Sequence, residues 1–155
     1  MPKKIVYAYA VADILHVGHL SFLEKAKAFA GEEGKLIVGI LTDEAVMEKK
    51  PKPTLSFDER IKLVKALKCV DIVVAQQTYS PISNIKKIKP DILIESDSHP
   101  YEDLKEIVKA SELYGGKIIV LPYYHGKGST KIKREILNNW NDPEKNKEDK
   151  KEVII

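Results

Sequence analysis

Histidines 16 and 19, with Gly18 between them, are the residues of this chain whose types and spacing best suit chemistry. Two imidazoles three positions apart at the start of a helix project to the same side. A glycine there lacks the side chain that would keep a phosphate off the backbone amides, and the amides and dipole of a helix N-terminus attract an anion further. The segment Asp13-Ile14-Leu15-His16-Val17-Gly18-His19 therefore reads as a phosphate site. Taken without its surroundings, the pair could equally be ordinary turn and helix residues. A metal centre needs a third ligand. His99, His125 and Asp13 are available for it, but their spacing matches no standard metal motif, and no metal site is assigned.

Such a segment works only if regular structure holds it at the rim of a fold. Residues 4–10 are a short apolar run, a predicted strand, and residues 18–30 carry Leu20, Leu23, Ala26 and Ala30 near helical spacing. Residues 35–41 form a second apolar run; a short helix over 43–48, opened by Thr42, then leads into a lysine- and proline-rich loop, 49–53. Ser56, with Glu59 three positions later, makes a capping box for a helix whose stripe is Ile61, Val64 and Leu67. Three more strands are predicted at 71–74, 91–94 and 117–121, with a helical turn at 83–88 and a helix at 101–114 ended by Gly115 and Gly116. Ser129 is the expected cap of a last helix reaching about residue 140.

Strands without a polar alternate, interleaved with helices, predict an α/β fold: a Rossmann-like, doubly wound, five-stranded parallel sheet covered on both faces. Ligands of such sheets bind beyond the carboxyl ends of the strands, near the switch in strand order. That selects the loops after Ala10, Leu41, Ile94 and Leu121.

With 155 residues, 43% of them hydrophobic, the chain fits one domain, residues 1–140, followed by a charged tail, 141–155. Its 26 basic and 23 acidic residues nearly cancel, and a net charge of +3 without a basic stripe argues against nucleic acid as a partner. The lone Cys69 excludes an internal disulfide and a cysteine-rich metal cage. No stretch reads as a signal peptide or membrane span, so a soluble, cytoplasmic protein without a membrane partner is expected.

A strand followed by H-x-G-H at a helix start resembles the cytidylyltransferase-like nucleotidyltransferases. The match continues through Leu41-Thr42-Asp43-Glu44, Ser56-Phe57-Asp58-Glu59-Arg60, Val70-Asp71-Ile72-Val73-Val74 and Gly128-Ser129-Thr130-Lys131-Ile132, in the family's order. The resemblance implies a HUP-type nucleotidyltransferase fold and the transfer of CMP from CTP to a phosphate- or phosphonate-bearing small molecule, releasing pyrophosphate. A phosphate dianion, whose second ionisation lies near pH 6, is already nucleophilic and needs no general base. Positioning and donated hydrogen bonds then carry the catalysis.

By the same resemblance His16, His19 and Lys49 are catalytic, with Lys50 and Lys52 as neighbouring candidates for the lysine role. Ala10, Val11, Gly18, Asp97, Gly128, Ser129 and Thr130 would hold the nucleotide, and Asp13, Lys52, Arg60 and Tyr79 the acceptor. Plainer roles stand beside these: a solvated basic loop for the lysines, a surface ion pair with Asp58 or Glu59 for Arg60, a helix cap for Ser129 and Thr130. Magnesium would bridge the phosphates through few protein ligands, and relatives suggest a homodimer formed through residues 68–74.

Two segments depart from the glycerol-phosphate type, which has arginine where this chain has Tyr123 and Gly-Asp-Asp-Trp where it reads Ser96-Asp97-Ser98-His99. Three stretches resemble instead the cytidylyltransferases of phosphonate biosynthesis: Ala12 to His16, Gln77-Thr78-Tyr79 to Asn84 followed by Lys89-Pro90-Asp91, and Pro122-Tyr123. Tyr79, Asn84 and His99 could line the acceptor pocket, or be a loop aromatic, a helix cap and a surface histidine. The alternatives are an adenylyltransferase or FAD-synthetase-like enzyme of the same fold, and a nucleotide-binding regulator without turnover.

Overall fold

An apolar run can sit only where both faces of a sheet are covered, and Ile5–Ala10 accordingly forms the central strand β1. The computed structural model describes residues 3–97, 101–122, 126 and 128–144. Around β1 stand β2 (Lys35–Leu41), β3 (Ile72–Gln76), β4 (Ile92–Ser96) and β5 (Lys117–Leu121), in the order β3-β2-β1-β4-β5. All four pairings are parallel. The strand order reverses beside β1, so the switch point lies at the end of β1, where the histidine segment follows.

Alternate residues of β1 face opposite layers. Val6 and Ala8 pack with Leu23, Ala26 and Ala30 of α1 (Val17–Ala30) and with Val64 of α3 (Phe57–Lys65). On the other face Tyr7 packs with Ile85 of α4 (Ile82–Ile88) and Ile107 of α5 (Tyr101–Glu112). A short α2 (Asp43–Met47) adds Ala45 and Val46 against Leu41, under Tyr9, Val11 and Tyr79. The last helix, α6 (Ser129–Asn141), has no buried residue. No helix among the described residues is long and apolar enough to cross a membrane.

The capping box of α3 forms as its sequence requires, with Ser56 and Glu59 each bonding the other's backbone N–H. Two strands run further than their apolar stretches. β3 continues to Gln76 because that fully buried side chain is satisfied: the Tyr7 hydroxyl donates to its Oε1 at 2.6 Å, and its Nε2 donates to the carbonyls of Thr78 and Tyr79. Asn84 joins this network by donating to the Tyr7 oxygen and the Ala75 carbonyl, each at 2.9 Å. It is therefore a core residue, and neither a cap nor a pocket lining. β4 continues through the buried Glu95, whose carboxylate accepts the Tyr9 hydroxyl at 2.7 and 2.9 Å. At α6 the cap position is held by Gly128, and Ser129 is the first helical residue.

Candidate active site

The turn from β1 into α1 is held by its own histidines. His16 is the N-cap of α1; its Nδ1 accepts the N–H of Gly18 at 3.0 Å, while Nδ1 of His19 accepts the N–H of His16 at 3.3 Å. This is a capping box in which imidazoles take the roles usually filled by Ser and Glu. An Nδ1 that accepts a hydrogen bond carries no proton, so each neutral ring holds its proton on Nε2 and offers it as a donor. The ring centroids lie 4.0 Å apart. Burial pushes both side chains toward this neutral form: His16 falls below its usual value, and His19 drops to about 4 through burial and repulsion from His16, against an opposing pull from Asp13.

Just before them the backbone of Ala12 takes φ +54°, the left-handed region that residues other than glycine seldom enter. Asp13 follows, 5% exposed. Its carboxylate accepts the N–H groups of Thr54 at 3.0 Å and Leu55 at 2.8 Å and pairs with Lys133 of α6. Burial alone would raise its pKa, but Lys133 and the two amides outweigh it and hold the carboxyl below its usual value. Ser129 Oγ donates to the carbonyl of Ile14 at 3.1 Å, which brings the start of α6 onto the histidine turn. Gly18 is buried in the first turn of α1, and Thr130 is exposed in that of α6.

Arg60 corrects an expectation. Its guanidinium is fully buried and donates to the carbonyls of Leu55 (3.2 Å), Val11 (2.8 Å) and Leu41 (2.7 Å) and to Asp43 Oδ1 (2.7 Å). Neither an acceptor contact nor a surface pair with Asp58 or Glu59 is compatible with those partners. Arg60 instead ties the ends of β1 and β2 to α2 and the lysine loop. Asp13 is likewise committed to backbone and Lys133 rather than turned toward an acceptor.

Lys49 lies 3.0 Å from Asp103 and 4.8 Å above the Tyr79 ring. These three residues line a cleft of about 220 Å³ with Tyr9, Ile82, Glu106 and Ile107, on the α4 and α5 side of β1. Lys50 and Lys52 are exposed on the neighbouring loop. Ala10 ends β1 and Val11 follows it, its carbonyl held by Arg60. Asp97 is exposed beyond β4, its N–H donating to Leu121 at 3.0 Å. Ser98, His99, Tyr123, His125 and the tail beyond residue 144 lie outside the described residues.

Three participants went unpredicted: Lys133, Asp43 and Glu95. Lys133 had a signal, since four positions after Ser129 on a helix it must face the same way. Among the described residues no three His, Cys, Asp or Glu side chains gather as a metal cage.

The fold agrees with what the chain resembles. It is 32% identical over 142 residues to the bifunctional protein HldE of Citrifermentans bemidjiense, which spans 89% of this chain but only 28% of that longer protein. Over 112 residues it is 35% identical to the FAD synthase of Methanopyrus kandleri, covering 72% of this chain and 74% of the synthase. The crystal structure of a lipopolysaccharide core biosynthesis protein from Thermoplasma volcanium shares the fold, with a TM-score of 0.65 at 23% identity over 78% of this chain and 96% of that one. Residues 7–135 match the cytidylyltransferase-like family, from within β1 into α6, and the chain belongs to that nucleotidyltransferase family.

Proposed function

We propose that this chain transfers a nucleoside monophosphate, adenylyl from ATP, to the phosphate of a small acceptor. An acceptor phosphate oxygen attacks the α-phosphorus, the bond from that phosphorus to the α,β-bridging oxygen breaks, and pyrophosphate leaves. The observation that carries this reading is the locked imidazole pair: two adjacent Nε2–H donors at the switch point, with the Ser129 turn brought against them. Neutral donors fixed before the substrate arrives stabilise charge developing on the α-phosphoryl oxygens without reorganising. Lys49 supplies positive charge from the Tyr79 cleft, where the acceptor would lie. Magnesium, if bound, would neutralise charge on the triphosphate.

ATP is favoured as donor by the FAD synthase relative, whose named product carries an adenylyl group on a flavin phosphate. CTP is favoured by the resemblance of the Ala12 to His16 segment to phosphonate-pathway cytidylyltransferases. Pyrophosphate release decides between them, measured with ATP and CTP against flavin mononucleotide, sugar phosphates, glycerol phosphate, phosphocholine and aminoethylphosphonate. Release from ATP that disappears in His16→Ala and His19→Ala supports the proposal. Release from CTP alone moves the donor assignment, and nucleotide binding without product from any acceptor makes the protein a binder rather than an enzyme. Pairing of two copies through residues 68–74 belongs to the same proposal; β3 is an edge strand with Ile72 45% exposed, and sedimentation tests it.

A further inference from the structure

Three segments of the site meet at one carboxylate. Asp13 stands in the histidine turn, accepts the Thr54 and Leu55 amides that close the lysine loop, and pairs with Lys133 of α6. Lys133 lies one helical turn beyond Ser129, whose hydroxyl donates to Ile14, the neighbour of Asp13. Both of these contacts lie in the first turns of α6. None of its residues is buried, and Ile136, Leu137 and Trp140 further along are 57%, 61% and 65% exposed. A lightly packed helix moves at lower free-energy cost than the sheet it leans on.

The lysine loop has the opposite character. Pro51 and Pro53 restrict its backbone, and the two amides that follow are both taken by Asp13. Whatever fixes the Asp13 carboxylate therefore fixes the end of the loop that carries Lys52.

We propose that Asp13 is a positioning residue that couples the triphosphate-binding start of α6 to the lysine loop, with Lys133 as the link. Phosphates bridging the Ser129 turn and the histidines draw α6 onto the β1–α1 turn. Lys133 then holds the carboxylate more firmly, and the carboxylate holds Thr54 and Leu55. Occupying the nucleotide subsite in this way organises the acceptor side before the acceptor arrives. The inference rests on the nucleotidyltransferase reading but needs no knowledge of the acceptor.

Amide hydrogen exchange tests it, using the non-transferable analogues α,β-methylene-ATP and α,β-methylene-CTP with magnesium, and calorimetry to register binding. In the unaltered protein, saturation with the analogue that binds should slow exchange at Thr54 and Leu55 at least tenfold. Lys133→Arg, which keeps the ion pair, should do the same, whereas Lys133→Met should still bind the analogue yet slow those amides less than twofold. Equal slowing in Lys133→Met, or binding to the unaltered protein with no slowing, overturns the coupling and leaves the proposed function standing. If the unaltered protein binds neither analogue, the proposed function falls and the coupling with it.

Discussion

His19 Nδ1 accepts the backbone N–H of His16 at 3.3 Å, so the ring proposed to act on a phosphate is also half of the structure that starts its own helix. His16 mirrors it, accepting from Gly18. Each imidazole is thereby fixed in tautomer by a bond to the backbone, and what it offers a ligand is decided before one arrives.

Capping and chemistry can be separated at position 16. Asparagine is among the best N-caps, whereas alanine in place of a capping residue costs about 1 kcal/mol. His16→Asn should therefore unfold at nearly the same urea midpoint as the unaltered protein, and His16→Ala measurably lower. Both should lose turnover by about 10² to 10³-fold, the usual cost of removing one preorganised donor. If His16→Asn kept full turnover, the histidine would be a cap and nothing more.

Stability should depend on pH through the same pair. His19 titrates at about 4 in the folded protein against 6.5 for an exposed histidine. Between those values the unfolded chain binds a proton that the folded chain refuses, so stability is complete above about pH 6.5 and declines as pH falls toward 4. The slope approaches 1.4 kcal/mol per unit. His16, also lowered, acts in the same direction. Asp13 and Asp71 have depressed values, so their contributions are lost only at lower pH, below the ordinary carboxylate range. Urea midpoints from pH 7.5 to 4.5 check this, and His19→Gln should flatten the curve across that window. A midpoint independent of pH in the unaltered protein would contradict the burial of His19.

Much of this architecture was legible because local signals and tertiary demands agree. Strands β2 and β5 match their apolar runs residue for residue, and the Ser56 box fixed the start of α3. The histidine turn was legible as the start of α1 after the first strand, because Gly18 and the apolar spacing that follows it mark a helix there. Its internal bonds were not, since histidine seldom serves as an N-cap. Partners far apart in sequence stayed hidden. Arg60 resembles a substrate arginine by motif, but its carbonyl partners Val11 and Leu41 are supplied only when β1 and β2 lie side by side. Gln76 and Glu95 look like strand ends until Tyr7 and Tyr9 reach them across the sheet.

The buried guanidinium of Arg60 carries a prediction of its own. Arg60→Met removes a cation from Asp43 and leaves three carbonyls short of a donor, and breaking a buried pair on one side typically costs about 3 to 5 kcal/mol. Arg60→Lys should recover little, because one ammonium cannot span four acceptors set by a planar fork. Denaturant titration measures both. A residue whose work was to grip an acceptor at the surface would lose substrate affinity and leave the midpoint where it was.

Gly39 tests whether the buried polar network and the cleft beside Tyr79 are one mechanical unit. A Cβ at this position would stand 1.9 Å from the Tyr7 hydroxyl oxygen and 3.1 Å from Gln76 Oε1. Tyr7 is fully buried and its hydroxyl is engaged with both Gln76 and Asn84, so it has no unused space to retreat into. Gly39→Ala must push the ring aside and break at least one of those bonds, and overpacking of this kind costs about 1 to 3 kcal/mol. The damage should also travel. Gln76 Nε2 donates to the carbonyls of Thr78 and Tyr79, so a displaced Gln76 releases the loop that holds Tyr79 beside Lys49. Double substitution Gly39→Ala with Tyr7→Phe removes the clashing oxygen and should recover part of the lost midpoint. It should not restore the loop, because Gln76 and Asn84 then lack their shared hydroxyl partner. Urea midpoints and amide exchange at residues 78 and 79 measure the two effects separately; faster exchange there in both variants, with the midpoint recovering only in the double one, is the expected result. Unchanged exchange at 78 and 79 would mean that Tyr79 is held by its other contacts alone, among them the bond from its N–H to Glu48.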